Sequence, residues 1–129
     1  MISVSDEQFS QIIGEAMDEL PQERISGLKN VAIVYEDEPS QEQRQKLKLR
    51  NSQTLYGLYE GIPLTKRPAA DSIMGGGPMY LPDKITIFKL PIAAASNSLP
   101  ELKEHVKHTV WHEIAHYYGL DHDQIHNLE

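Results

Sequence analysis

His112-Glu113-Ile114-Ala115-His116-Tyr117-Tyr118-Gly119-Leu120-Asp121-His122 reads as H-E-x-x-H-x-x-G-x-x-H. An α-helix advances about 100° per residue, so His112 and His116 fall roughly 40° apart around the axis and one turn apart along it. Two imidazoles so placed can grip one metal ion. Glu113 stands beside them, close enough to reach a metal-activated water without being a ligand itself. Gly119 supplies the left-handed residue that ends a helix at low cost, after which the chain can turn back with a third ligand. His122 is the natural candidate for that ligand.

Between Val110 and Leu120 there is no Lys, Arg or Asp, and Glu113 is the lone carboxylate among Trp111, Ile114, Ala115, Tyr117 and Tyr118. A single acid on an apolar segment is costly to bury unless something compensates it, and a metal site does so. The competing reading is an amphipathic helix that happens to be rich in histidine. Upstream, Ser98 is suited to cap this helix and Pro100 to occupy its first turn, where a missing N–H costs little. Leu102, Val106, Val110 and Ile114 then carry an apolar stripe into the motif, which predicts a helix of roughly twenty residues. His105 and His108 share the side of His112 but lie too far from His116 to join one tetrahedral site. His108 is open to a place in a substrate cleft, with an ordinary exposed histidine as the plainer reading.

Working outward, Ser5 and Gln8 form a capping-box pattern ahead of Phe9, Ile12, Ile13, Ala16, Met17 and Leu20, which recur at helical spacing until Pro21. Val31-Ala32-Ile33-Val34-Tyr35 is a β-branched run that predicts a buried strand. The polar stretch 40–52 fits a loop, a short helix or an irregular edge. A second strand with a glycine bend is expected over 54–64, a loop over 65–81, and an alternating strand over 84–90, ended or edged by Pro91. Gly75-Gly76-Gly77-Pro78 lacks the Lys-Ser or Lys-Thr of a phosphate loop.

A chain of 129 residues suits one domain, taken as 1–129. The net charge of −7 speaks against a nucleic-acid partner. The cluster Arg44, Lys46, Lys48 and Arg50 is the local exception, and reads as a solvated segment. With no cysteine, neither disulfides nor thiolate metal sites are available, so a metal must rely on histidines and carboxylates. The first residues carry neither a basic start nor an apolar run, and no segment approaches the ~20 apolar residues of a membrane span. A cytoplasmic protein without a membrane partner is the expectation; the oligomeric state is left open.

The motif resembles the signature of zincin metallopeptidases, and its extension to Gly119 and His122 is similar to the metzincin form. Leu58-Tyr59-Glu60-Gly61-Ile62-Pro63-Leu64 and Leu81-Pro82-Asp83-Lys84-Ile85-Thr86-Ile87-Phe88 resemble a narrower group, the small bacterial zincin-like metallopeptidases known as minimal zincins or minimal gluzincins. Metzincins proper continue to a methionine-containing turn, whereas this sequence has no methionine after Met79. The resemblance implies an α+β fold, with a small twisted mixed β-sheet packed on helices and the metal-binding helix C-terminal, bordering a cleft beside an edge strand. It also implies one zinc ion per chain on His112 and His116, with Glu113 as general base. His122 is the third ligand on this reading; Asp121 or Asp123 is a fallback and Glu129 a remote one.

The expected activity is zinc-dependent hydrolysis of a peptide or protein substrate, which would most simply add to the exposed edge strand. Tyr56, Tyr59, Tyr80, Tyr117 and His126 are candidates for a second electrophile beside zinc. The alternatives are a metal-binding domain that docks a peptide without cutting it, and a zinc amidase acting on a small substrate.

Overall fold

The computed structural model describes residues 1–50, 54–63 and 82–120. Among these, five helices and three strands follow the order α1 (Asp6–Glu19), α2 (Gln22–Ser26), β1 (Val31–Glu36), α3 (Gln41–Lys46), β2 (Gly57–Glu60), β3 (Asp83–Phe88), α4 (Lys89–Ala94) and α5 (Leu99–Tyr118). The architecture is α+β: a small mixed sheet in the order β1-β3-β2, with β1 parallel and β2 antiparallel to β3. The expected fold class is the one observed.

The central strand explains the layering. Ile85, Thr86, Ile87 and Phe88 are all fully buried, so both faces of β3 are covered. Ile85 and Ile87 belong to a core shared with Phe9, Ile12, Ile13 and Ala16 of α1 and Leu102, Val106, Val110 and Ile114 of α5. These are the residues whose helical spacing marks an apolar stripe in each helix. α1 begins as its sequence predicts: Ser5 Oγ accepts from Gln8 N–H at 3.1 Å, and the Gln8 side chain accepts from Ser5 N–H at 3.0 Å. Lys89 Nζ meets Asp6 Oδ1 at 2.7 Å, tying the start of α4 to the first turn of α1.

α5 also obeys its local signals. Ser98 Oγ accepts from Glu101 N–H at 3.2 Å, Pro100 lies in the first turn, and Gly119 ends the helix in the left-handed conformation at φ 79°. Leu120 N–H then reaches back to Ala115 O at 3.1 Å, closing the last turn. The last turn is clamped from outside it: Tyr117 Oη accepts from Lys29 N–H at 3.0 Å and Tyr118 Oη donates to Arg24 O at 2.6 Å. Among the described residues no helix is long and apolar enough to cross a membrane.

Several local expectations need correction. β1 is only half-buried, because it is an edge strand with β3 on one side. The second strand is confined to Gly57–Glu60, and the third ends at Phe88, where Lys89 and Leu90 start α4 with Pro91 in its first turn. Proline is tolerated there because the N–H it lacks has no helical partner. Of the three readings open for the stretch 40–52, the short helix is the one found, as α3 capped by Ser40 and Gln43. The expected loop over 65–81 lies outside the described residues.

Phe9 is fully buried and meets Tyr35 edge-on, with ring centroids 5.8 Å apart. Phe9→Ala is expected to lower unfolding stability by about 3–5 kcal/mol, read from the urea midpoint. A loss below ~1 kcal/mol would show that α1 is not part of the core.

Candidate metal centre

β2 runs alongside α5, and one column of helix residues at i, i+4 spacing carries the contact. Tyr56 lies against His105 with ring centroids 6.0 Å apart, and Tyr59 meets Tyr117 edge-on at 6.3 Å. Between them, a Cβ placed on Gly57 would stand 2.6 Å from Thr109 Cγ2 and 3.2 Å from Glu113 Cγ. Only glycine lets the strand come this close. His105, Thr109, Glu113 and Tyr117 therefore back onto the strand, while His108, His112 and His116 form the neighbouring column.

This approach buries Glu113, which is 7% exposed. Its pKa rises from 4.5 to about 7, first because burial disfavours the charged form; the main-chain N–H of Tyr59, hydrogen-bonding its carboxyl, offsets part of that. The strand thus supplies both the desolvation and the hydrogen bond that governs the acid. On the adjoining column, the His112 and His116 rings have centroids 4.7 Å apart at 76°. One ligand atom from each of His112, Glu113 and His116 lies within 4.8 Å of the others. Two imidazole nitrogens at zinc-ligand distance, ~2.0–2.1 Å from a common ion, satisfy that spacing. The donor set, nitrogen from two histidines beside a carboxyl and no thiolate, suits zinc chemically.

The site opens into a cleft of about 510 Å³ lined on the strand side by Thr54, Leu55, Tyr56 and Gly57 and on the helix side by His108, Thr109, His112 and Glu113. His108 is accordingly a cleft residue, at 57% side-chain exposure, with Glu104 3.9 Å away. His122, Asp121, Asp123 and Glu129 lie outside the described residues, as do Tyr80 and His126. Of the other tyrosines proposed to face a substrate, Tyr117 is fully buried, and Tyr59 gives its hydroxyl proton to Asp83 Oδ2 at 2.6 Å. Tyr56 is the one that lines the cleft among the described residues. Sequence reasoning missed the Tyr59 N–H, a main-chain group no motif encodes. It also took Gly57 for a bend, although glycine inside a strand signals close approach as well.

Two consequences are measurable. In metal-free protein, Glu113 holds its proton to about pH 7 when folded but only to about 4.5 when unfolded. Between those values the folded state binds more protons, so stability falls as pH rises through that window. Glu113→Gln is expected to lack this decline and to exceed the wild type above pH 7 by on the order of 3 kcal/mol, measured by urea unfolding at pH 5 and pH 8 with chelator present. A parallel pH dependence in both proteins would refute the buried-acid assignment. Separately, Gly57→Ala should cost about 1–3 kcal/mol through the clash with Thr109, and adding Thr109→Ser, which removes Cγ2, should recover part of it. No recovery in the double variant would mean that the strand and helix do not touch there.

A comparison with curated proteins finds no match. Among solved structures, the chain is similar to a conserved hypothetical protein from Thermus thermophilus, at 17% identity and a TM-score of 0.55, over 89% of this chain and 94% of that one. At this identity the likeness is one of fold. The family described as zincin-like metallopeptidase matches residues 28–129, a span that runs from ahead of β1 through the helix bearing His112, Glu113 and His116. With most of its length matched and these three side chains gathered within 4.8 Å of one another, the chain belongs to the zincin-like metallopeptidase family.

Proposed function

We propose that this protein is a zinc-dependent peptidase, with His112, His116 and His122 holding one zinc ion and Glu113 acting as general base within a single domain. The observation that carries the reading is the convergence of two histidines and a buried, proton-holding carboxyl beside a cleft that is bordered by an edge strand and lined by His112 and Glu113. Zinc, when bound, supplies Lewis acidity and a water acidic enough to act as nucleophile near neutral pH. Glu113 takes the proton from the attacking water and delivers it to the departing amine; a carboxyl whose pKa lies near 7 is suited to both transfers. The Tyr59 N–H keeps that carboxyl oriented throughout.

The outer edge of β2 favours a peptide over a small amide. Tyr56 O already accepts from Phe88 N–H at 2.8 Å, and Leu58 and Glu60 stand in register with Thr86 and Lys84. By the alternation of an antiparallel ladder, the main-chain groups of Gly57 and Tyr59 point away from β3. The Tyr59 N–H serves Glu113, and Gly57 offers its N–H and C=O to an extended chain laid in the cleft. The exposed residues Thr54, Tyr56 and His108 leave this cleft open along the strand.

Elemental analysis of protein purified without chelator is expected to give one zinc per chain, lost in His112→Ala and His116→Ala and lost or much weakened in His122→Ala. Glu113→Gln should keep the zinc and abolish cleavage of a peptide library that the wild type hydrolyses. Zinc retained in His122→Ala would move the third ligand to another residue. Hydrolysis retained in Glu113→Gln would remove the base from the role given to it.

A further inference from the structure

Tyr56 is 39% exposed yet fixed at both ends. Its main-chain carbonyl is held by Phe88 N–H at 2.8 Å, and its ring lies over His105 at 6.0 Å with the planes 34° apart. His105 is itself held from behind. The Oγ of Ser96, a fully buried residue, sits 2.7 Å from Ile92 O and 2.8 Å from His105 Nδ1. A hydroxyl has one proton, and two oxygens at 2.7 Å require it between them, so Ser96 donates to Ile92 O. Its lone pair must then accept from His105, which places the imidazole proton on Nδ1 and fixes the plane of the ring. An exposed aromatic in a cleft, ordered through its backbone and through a buried hydrogen-bonded chain behind its ring, is preorganised for contact.

We propose that Tyr56 is the substrate-binding platform of the cleft, receiving an apolar side chain of the peptide near the cleaved bond, and that His105, oriented by Ser96, is the positioning residue that holds it. The strand wall supports an apolar occupant: Leu55, Tyr56 and Gly57 line it without a charged group, and Thr54 is the polar residue at its end. This assignment rests on the peptidase reading of the site. The sequence offers no sign of it, because Ser96 lies in the connection before α5, His105 lies within that helix, and Tyr56 precedes them by 40 and 49 residues.

The test combines a spectroscopic and a kinetic readout. Long-range ¹H–¹⁵N spectra of metal-free protein should show His105 protonated at Nδ1, and this signature should be lost in Ser96→Ala; a wild type with Nδ1 bare overturns the positioning chain without reference to zinc or activity. For the kinetics, zinc-loaded wild type is profiled on an unbiased peptide library and KM and kcat are measured on its best-cleaved member. Tyr56→Ala, His105→Ala and Ser96→Ala are expected to raise KM about three- to tenfold, the worth of an aromatic contact, with kcat and zinc content little changed. Tyr56→Ala should also flatten the preference for an apolar residue at one position, and Tyr56→Phe, which keeps the ring, should recover most of the loss. Unchanged KM and preference in Tyr56→Ala, or a fall in kcat alone, overturns the platform while leaving the peptidase standing. A zinc-loaded wild type that cleaves no library member overturns the peptidase reading and the platform with it.

Discussion

A carboxyl group held out of water between a helix and a strand edge is the constraint on which this structure turns. Glu113 is buried by the approach of β2 to α5, and that approach exists because position 57 has no side chain. Moving a charged carboxylate into such a place is unfavourable, and the response is the usual one: the pKa rises until the neutral form competes at neutral pH. The Tyr59 N–H moderates the rise. Desolvation, hydrogen bonding and geometry at the acid thus come from one short strand of four residues.

The rest of the fold holds that strand and that helix in place. β3, buried on both faces, is the plane against which β2 is paired, and its Ile85 and Ile87 join the core that α1 and α5 share. Much of that core comes from α1, although the family match begins at residue 28, after α1 and α2. These two helices therefore support α5 from outside the matched span: Phe9, Ile12, Ile13 and Ala16 pack in the common core, and Arg24 O receives the Tyr118 hydroxyl. The arrangement separates duties along α5. Its apolar face is committed to the core, the column from His105 to Tyr117 meets β2, and the column of His108, His112 and His116 lies beside the cleft with the two candidate ligands.

Much of this was legible in the sequence where the determinant is local. Helix spacing places His112 and His116 a turn apart whatever surrounds them; Ser5, Gln8, Ser98, Pro100 and Gly119 act on their own backbone neighbours, and each end was found where its cap predicts. The lone acid of the apolar stretch is the one found buried. The short helices α2 and α4 were not anticipated, since five or six residues offer too few turns for periodicity to register. α3 did carry a signal, the Ser40 and Gln43 capping box, in a stretch too polar to suggest helix by its stripe.

What only the tertiary structure decided depends on which distant groups meet. The half-burial of β1 follows from its place at the sheet edge, which a β-branched run does not encode. The division of four tyrosines among core, hydrogen bonding and cleft follows from where each side chain lands: Tyr117 and Tyr118 anchor the segments around α2, Tyr59 binds Asp83, and Tyr56 lines the cleft. His105 and His108 look alike on a helix wheel, yet one is bound to a buried serine and the other borders open space. The sequence by itself determined the helix, its ends and the one-turn spacing of His112 and His116, because those rest on contacts within a few residues. The burial of Glu113, its hydrogen bond to a main-chain N–H and the cleft it lines were decided by packing across the chain, because desolvation is a property of everything that surrounds a group.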